Sequence, residues 1–518
     1  MCSKENATFA RSPVNGVVVY YGSYLWCTEN CPDGNPQASS DFILILLGFA
    51  LPAIIFSTVI PRRWHLDIPE QFFRFGGHGI ITVAKLGISL PTICAVATLD
   101  MIGWITCIMT FAGPMIFGGA LEMLLDYRVV SFLKEGLEIP AREKLEAVVA
   151  LLCGNFDQAP DDPTARIQDS LIPRAITKSS LETAKSHLAT IMNAQTSFGM
   201  TIGIPAVFFL VGFVYNAAQP SPTGTVSFGI FWMVLVLVTI ISGTLLAGSG
   251  PSTVSVLMAN LHVRRPRRTR LAFLNDMYDS ELYPVQMWDR GFSKYQWLRK
   301  TALWQDSRCQ QSIFRKRVEV GMWSWAAITI TTWLLVATPS FLSFSFDYLL
   351  PWPWLGCLSL LYTIYITTQT WLILAALVMA YFNIPFINIY GPWYLFSKGS
   401  PRSIFSSLCL FFTVALTGIA SLIAALLTVI GSIFQFSSRF ESCFCSTPVS
   451  SWLTPSQQRT VSLHYEYTSQ GYQDYVDLLN TSLYGGAAIF TSIVCFLGWW
   501  YQRSLRGALR DVIENIEI

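Results

Sequence analysis

Nine long apolar segments constrain the fold of this 518-residue chain more than any other feature. A bilayer core about 30 Å thick is crossed by about 20 apolar residues in a helix that rises 1.5 Å per residue. We therefore predict an all-α, polytopic membrane helix bundle of about nine transmembrane helices. The predicted spans are 42–60, 79–98, 102–124, 198–216, 226–247, 321–342, 354–382, 405–433 and 485–501.

The composition agrees with a membrane protein and excludes a water-soluble protein of this size. Charged residues make up only 13% of the chain and hydrophobic residues 52%, whereas soluble domains are about one-quarter charged. The 17 Trp residues are typical of a protein with an aromatic belt at each membrane interface.

The second and third apolar segments are nearly contiguous, so their boundary has to be placed by argument. A single helix over 79–124 would be about 69 Å long, which is more than twice the thickness of a bilayer core. Asp100 lies between the two segments, and its charge suits a membrane surface. We therefore expect a helical hairpin that turns around Asp100.

The distribution of Lys and Arg predicts the orientation of the bundle. Of the 34 basic residues, 29 fall in the segments that would be cytosolic if the N-terminus were outside, and four fall in the extracytoplasmic segments. The remaining one, Lys85, lies within a predicted span. Because basic residues concentrate in short cytoplasmic loops, we predict an N-terminus outside and a C-terminus cytosolic. The extracytoplasmic parts would be 1–41 and 434–484, and the cytosolic parts would include the loops 125–197 and 248–320 and the tail 502–518.

Two kinds of motif in the predicted extracytoplasmic segments suit a secretory-pathway or plasma membrane. Asn6 and Asn480 each begin an N-glycosylation acceptor sequence. Four cysteines in an oxidising compartment favour disulfides, although free or lipid-modified thiols are an alternative. One residue separates the last two, so cross-bridges to the first two are expected, with the connectivity open, and most other cysteines are interpreted as packing residues. The disulfide candidates are Cys27, Cys31, Cys443 and Cys445.

The cytosolic loops show helical patterns but too few apolar residues for an independent soluble domain. An amphipathic helix is predicted around Leu145, Val148, Val149 and Leu152, and a second helix from Ser179 to Asn193, with Ser179 or Ser180 as its N-cap. A basic cluster is interpreted as a contact for anionic lipid headgroups, with phosphate recognition as the alternative and no nucleic-acid partner. The cluster consists of Arg264, Arg265, Arg267, Arg268 and Arg270.

Charged residues within or beside the spans are functional candidates. Lys85 lies near the cytosolic end of its helix, where its ammonium group can snorkel to the interface. Glu122 and Asp126 are four residues apart, so they share one face of a helix. They could bind a divalent cation or a proton, or they could solvate the helix end with Arg128 as an ion-pair partner.

One acidic motif in the second cytosolic loop resembles an element of intramembrane prenyltransferases. Residues 275–279 read Asn-Asp-Met-Tyr-Asp, and that family uses such a motif to bind Mg²⁺ and a diphosphate. The resemblance implies Mg²⁺ ligation by Asp276 and Asp279, and the hypothesis of a membrane enzyme adds Glu122 and Asp126 as further ligands. The chain lacks the family's second acidic motif, and position 283 is Tyr, so a chance occurrence in a polar loop is the preferred interpretation.

The helix pattern supports three function hypotheses. Pro52, Pro91, Pro114 and Pro205 lie in four of the first helices, and transporters use interrupted helices around sites at the bilayer midplane. The first hypothesis is therefore transport or binding of a small, largely apolar molecule, without a cofactor. The alternatives are a Mg²⁺-dependent membrane enzyme that acts on an isoprenoid or lipid, and a structural or scaffold membrane protein.

The first 135 residues resemble a family through several short sequences. Residues 59–69 read Val-Ile-Pro-Arg-Arg-Trp-His-Leu-Asp-Ile-Pro, and Ala-Gly-Pro-Met and Leu-Asp-Tyr-Arg follow at 112–115 and 125–128. This part is similar to uncharacterised multi-pass membrane proteins of filamentous fungi. The resemblance implies a fungal membrane setting and an association with secondary-metabolite pathways, and it assigns no site residues.

Overall fold

The computed structural model is a helical bundle with a small β-sheet at one end. It describes residues 7–10, 16–30, 51–60, 80–135, 139–156, 171–173, 176–195, 197–218, 223–248, 253, 256, 285–305, 309–349, 355–382, 404–437, 440 and 442–517. Its helices are α1 (Tyr24–Asn30), α2 (Leu51–Val59), α3 (Ile80–Thr110), α4 (Ala112–Lys134), α5 (Ala141–Cys153), α6 (Lys178–Asn193), α7 (Ile204–Ala218), α8 (Thr223–Thr244), α9 (Arg290–Lys300), α10 (Ala302–Gln305), α11 (Cys309–Val318), α12 (Met322–Leu349), α13 (Cys357–Tyr381), α14 (Ile404–Phe436) and α15 (Gln470–Glu514).

The helical fold class is confirmed, and a membrane location is plausible. Within the described residues, six helices are long and apolar enough to cross a membrane: α3, α8, α12, α13, α14 and α15. Each of the nine predicted apolar segments overlaps a helix, because α2, α4 and α7 coincide with the other three. The count of nine crossings is not confirmed.

Helix α8 occupies the centre of the bundle. Every residue from 227 to 242 is buried, and the helix packs against α2, α4, α12 and α15. Its sequence is rich in Val, Ile and Leu on all faces, which is typical of a helix surrounded by other helices. The axis of the bundle is therefore filled by protein.

The hairpin predicted at Asp100 is wrong. Asp100 lies inside α3, and the helix is interrupted at Phe111, where α4 begins one residue later. Backbone hydrogen bonds from Phe111 N to Cys107 O (3.0 Å) and from Met115 N to Phe111 O (2.9 Å) keep helical geometry on both sides. Helix α3 packs mainly on α14 and α2, whereas α4 packs on α8, α9, α12 and α13. The interruption is thus a kink, and its cause is Pro114, which lacks the N–H that would bond to Thr110 O.

One end of the bundle, named here the disulfide end, carries a three-stranded antiparallel sheet. Its strands are β1 (Phe9–Ala10), β2 (Val17–Ser23) and β3 (Thr460–Tyr467), in the order β1-β2-β3. Strand β2 pairs with β3 from Val17↔Tyr467 to Ser23↔Thr460, with an irregularity after Tyr20. Val17, Val19 and Tyr21 alternate inward along β2. The all-α prediction did not include this sheet.

Two disulfides at the same end join the loop before β3 to α1 and α13. Cys27 bonds to Cys443 with a Cα–Cα distance of 6.0 Å, and Cys357 bonds to Cys445 with a Cα–Cα distance of 5.1 Å. The expected cross-bridge between the N-terminal segment and the last loop is therefore present. The partner of Cys445 is Cys357, which begins α13 and belongs to the group interpreted as packing residues. Cys31 lies outside the described residues.

The opposite end, named here the cluster end, is covered by a layer of short helices. Both predicted cytosolic helices are present as α5 and α6, and Leu145, Val148 and Leu152 are fully buried in α5. The N-cap of α6 is Thr177, whose hydroxyl accepts from Ser180 N (3.2 Å) while Ser180 Oγ accepts from Thr177 N (2.9 Å). The predicted cap, two or three residues later, is therefore wrong, because Ser180 forms the third position of a capping box.

Helix directions follow from which residues meet at each end. Helix α15 begins beside the sheet, where Tyr472 packs on Gly16, and it ends in the layer, where Lys185 bonds to Glu514 O (3.1 Å). Helix α12 runs the other way, since Ser324 near its start contacts Arg128 and Phe346 near its end packs on Tyr484. Because α15 is about 67 Å long, it joins the two ends of the molecule directly.

Candidate functional site

A buried cluster of four charged side chains lies between α4 and α9. Glu122 and Asp126 lie four residues apart on α4, and Arg290 and Lys294 lie four residues apart on α9. Residues at this spacing share one face of a helix, so two acidic and two basic side chains face each other in register. All four side chains are at most 1% exposed. We name this group the ion-pair cluster.

The geometry of the ion-pair cluster pairs every charge. Arg290 Nε donates to Glu122 Oε2 at 2.8 Å, and Arg290 Nη2 donates to Glu122 Oε1 at 3.2 Å. Lys294 Nζ lies 2.7 Å from Glu122 Oε1 and 2.7 Å from Asp126 Oδ1. Arg290 also donates to the carbonyl oxygen of Ala247, just beyond the end of α8. The cluster thus connects three parts of the chain and matches two acidic groups with two basic groups.

Two glycines allow α4 and α9 to approach closely enough for these contacts. A Cβ added at Gly118 would lie 2.5 Å from Met287 O, and a Cβ added at Gly291 would lie 2.7 Å from Gly118 O. Both clashes involve backbone atoms, which cannot move aside as a side chain can. Small residues at these positions therefore set the distance between the two helices, and this distance places the cationic groups on the carboxylates.

Electrostatics explains why each buried carboxylate of the cluster has a cationic partner. A buried carboxylate without a partner is strongly destabilising, and here each has at least one cation at 2.7–3.2 Å. Glu122 contacts both cations, whereas Asp126 contacts only Lys294. Burial raises the pKa of the Asp126 carboxyl to about 7, because desolvation of its charged form outweighs the attraction of Lys294.

The structure shows whether Arg128 pairs with these two acids, and it bears on whether they could bind a metal ion. The suggested partner Arg128 is not in the cluster, since its guanidinium donates to Glu319 O at 2.8 Å and to Ser324 Oγ. In the described part of the chain, no group of three or more His, Cys, Asp or Glu side chains is placed to hold a metal ion. Arg290 and Lys294 pair with both oxygens of Glu122 and with Asp126 Oδ1, and the hypothesis that Glu122 and Asp126 bind Mg²⁺ stays a prediction.

Several predicted site residues fall outside the described residues. They are Asn6, Asp276, Asp279 and the basic cluster Arg264, Arg265, Arg267, Arg268 and Arg270. The backbone of Lys85 lies in α3 and that of Asn480 lies in α15, but the side chains of both belong to the parts left undescribed. Asn480 is in the first turns of α15, at the disulfide end.

A second polar site surrounds the kink at Phe111. Since Pro114 cannot donate to Thr110 O, this carbonyl accepts from Gln369 Nε2 at 2.9 Å. Gln369 Nε2 also donates to Met109 O (3.1 Å), and Gln369 Oε1 accepts from Gly113 N (3.0 Å). Tyr365 Oη donates to Met109 O at 2.7 Å. Two side chains of α13 therefore satisfy the backbone groups that the kink releases, as an apolar environment requires.

Sequence reasoning missed Arg290, Lys294 and Gln369, although signals for them were present. The i,i+4 spacing of Arg290 and Lys294 matches that of the acids on α4, and such complementary spacing is readable. Gln369 is an uncharged polar residue in an otherwise apolar segment, and such residues in spanning helices usually bond to a neighbouring helix. Neither signal identifies its partner, because the partners are 168 and 256 residues away.

No family model matches the sequence, and comparisons with curated proteins and with solved structures found no match. A fold by itself does not define a function, whereas what fills the axis of the bundle and what its two ends contain bear on function directly.

Proposed function

We propose that the protein is a multi-pass membrane scaffold that presents a disulfide-bonded sheet on one side of a membrane and a helical layer on the other. The observation that carries the proposal is the filled axis of the bundle. Helix α8 is buried from residue 227 to residue 242, at the position that a transport pathway along the axis would need. Its neighbours pack on all sides of it, which suits a rigid spacer.

The orientation proposed for the scaffold places the disulfide end outside and the cluster end in the cytosol. Disulfides persist in oxidising compartments and are rare in the cytosol, and both disulfides lie at the same end. Arg503, Arg506 and Arg510 lie in the last turns of α15, at the other end. This distribution agrees with the excess of basic residues expected on cytosolic segments.

The links between the two ends support a scaffold role. Helix α15 reaches from the sheet to the layer without interruption, and the ion-pair cluster fastens α9 of the layer to α4 and to the end of α8. An element attached at both ends transmits position with little freedom. The proposed function is to hold partners on the two faces at a fixed relative position.

Thiol labelling tests whether the axis is filled. Val234→Cys and Val236→Cys place thiols on opposite sides of α8, since successive residues differ by about 100°; Ser186→Cys, at an exposed position of α6, is the positive control. We expect N-ethylmaleimide to label Ser186→Cys in the native protein, and to label both α8 variants only after denaturation in SDS, as read by peptide mass spectrometry. Labelling of either α8 thiol at the rate of the Ser186→Cys control would refute a filled axis.

Binding of a small apolar molecule is a second candidate, and the kink at Phe111 favours it. Interrupted helices often surround binding sites within membranes, and the π-helical turn Gly199–Gly203 before α7 is a second interruption. Photo-crosslinking with an apolar diazirine probe tests this candidate. Saturable labelling of the peptides around Phe111 would support binding, whereas labelling confined to the lipid-facing side chains of α14 and α15 would refute it.

A further inference from the structure

An open cavity lies on the surface of the cluster end, outside the ion-pair cluster. It has a volume of about 470 Å³ and lies between the end of α4 and the last turns of α15. Its lining combines indole rings, cationic groups and small residues. The lining residues are Lys134, Trp499, Trp500, Arg503, Ser504, Gly507, Ala508 and Asp511.

The apolar side of this cavity continues a lipid-facing surface. Ile489, Ile493, Phe496 and Leu497 on the preceding turns of α15 are each more than half exposed, although they are large and hydrophobic. Trp500, at the upper edge of the cavity, is 58% exposed. Exposed apolar side chains that end in Trp mark the boundary between acyl chains and headgroups.

The polar side of the cavity begins one turn after the Trp residues, toward the C-terminal end of α15. The Arg503 guanidinium carbon lies 5.5 Å from the centre of the Trp499 ring, and Lys134 Nζ lies 3.5 Å from Asp511 Oδ2. With two cations and one carboxylate, the lining carries a net charge of +1. The side chains of Lys134 and Asp511 remain 45% and 63% exposed, so the ion pair leaves the ammonium group accessible.

The floor of the cavity is created by the absence of a side chain. A Cβ added at Gly507 would meet no atom within 4 Å, so the space above this glycine is open. Ser504 and Ala508, its neighbours on the same face, are also small. A group of several heavy atoms can therefore lie against the backbone of α15 between the two cations.

From these features we propose that the cavity binds the headgroup of an anionic phospholipid. The phosphate and any further anionic group would lie between Arg503 and Lys134, within reach of the Ser504 hydroxyl, and the acyl chains would follow the apolar surface above Trp500. Anionic lipids are attracted to Lys and Arg at the cytosolic interface, and Arg binds phosphate with two parallel hydrogen bonds. This site is separate from the basic cluster of the loop 248–320, and it depends on membrane insertion, not on the scaffold role.

Lipid binding to the full-length protein in detergent tests the proposal. Native mass spectrometry compares phosphatidylserine with phosphatidylcholine, and a separate arm adds inorganic phosphate. We expect a preference for one phosphatidylserine that inorganic phosphate at millimolar concentration does not displace. Equal binding of the two lipids would overturn the proposal, and full displacement by inorganic phosphate would reassign the cavity to a soluble anion.

Two matched pairs of variants locate the binding. Gly507→Leu adds a side chain at the floor of the cavity from a Cβ that meets no atom within 4 Å, and Gly486→Leu is its control, because a Cβ at Gly486 on the same helix also meets nothing within 4 Å. Arg503→Gln removes a lining cation, and Arg510→Gln removes an exposed cation of α15 that does not line the cavity.

We expect Gly507→Leu to reduce the affinity for phosphatidylserine at least tenfold and Arg503→Gln to reduce it about fivefold, the effect of one interfacial cation. The two control variants should bind as the native protein does. Unchanged binding in Gly507→Leu, or equal losses in Gly507→Leu and Gly486→Leu, would overturn the assignment. Since both glycine variants raise helix propensity, a failure to fold is not the expected explanation of any loss.

Discussion

Replacing Gln369 by Leu tests the account of the kink at Phe111. The substitution removes the donor to Thr110 O and the acceptor of Gly113 N, while Met109 O keeps its bond from Tyr365 at 2.7 Å. Two buried backbone groups therefore lose their partners. At about 1–3 kcal/mol for each unsatisfied group, the free energy of unfolding should fall by about 2–6 kcal/mol.

The role of Pro114 gives this prediction a matched background. Pro114→Ala restores an N–H that can donate to Thr110 O, as in an uninterrupted helix. In the Pro114→Ala background, Gln369→Leu should therefore leave only Gly113 N without a partner and should cost about half as much. Tyr365→Phe is the control, because Met109 O keeps the bond from Gln369, and its cost should be about 1 kcal/mol.

Unfolding by SDS in mixed micelles, followed by Trp fluorescence, measures all four variants on one scale. The double-mutant cycle isolates the coupling between Gln369 and Pro114. If Gln369→Leu costs the same with Pro114 and with Ala at this position, the released carbonyl of Thr110 is not what Gln369 satisfies. A cost below that of Tyr365→Phe would equally contradict the reasoning.

Three further predictions concern the orientation, the disulfides and the ion-pair cluster. Reporter fusions at Lys398 and at the C-terminus should both read cytosolic, and a lumenal reading at either would contradict the proposed topology. Cys445→Ser should leave Cys357, which is only half-buried, as a thiol that a membrane-impermeant maleimide labels from outside in intact cells, whereas the native protein should show no such label at that position. Glu122→Gln should lower the free energy of unfolding by about 3–5 kcal/mol because it leaves buried cations uncompensated; Glu122→Leu combined with Arg290→Met should cost less in the same SDS assay, and an additive cost would show that the two residues are not coupled.

The sequence predicted the helices well because the signal for a membrane helix is local. Each of the nine apolar segments overlaps a helix, and the amphipathic pattern around Leu145 predicted α5 correctly. The misplaced boundary at Asp100 came from weighting a charge above a proline. Pro114 removes a specific hydrogen bond, whereas Asp100 stays within α3 with no break in the helix.

The sheet shows what a search for long apolar segments overlooks. Strand β3 reads Thr-Val-Ser-Leu-His-Tyr-Glu-Tyr, which alternates polar and apolar residues as a half-buried strand does. Strand β2 is a short apolar run in the N-terminal segment. The pairing of the two could not be read from either, since their residues are more than 400 positions apart, as in the bond between Tyr20 and Glu466, which are separated by 446 residues.

The sequence by itself determined the helical class, the segments that suit a membrane and the separation of basic residues from the cysteine-bearing segments, because each depends on the composition of a short stretch. Only the tertiary structure decided which charges, cysteines and backbone groups meet. Glu122 pairs with Arg290 because glycines allow the backbones of α4 and α9 to approach closely. Cys445 bonds to Cys357 because α13 begins beside the last loop. A buried polar or charged group needs a bonding partner. Its neighbours in sequence do not supply this partner here, so the packing of distant parts of the chain determines which residue it is.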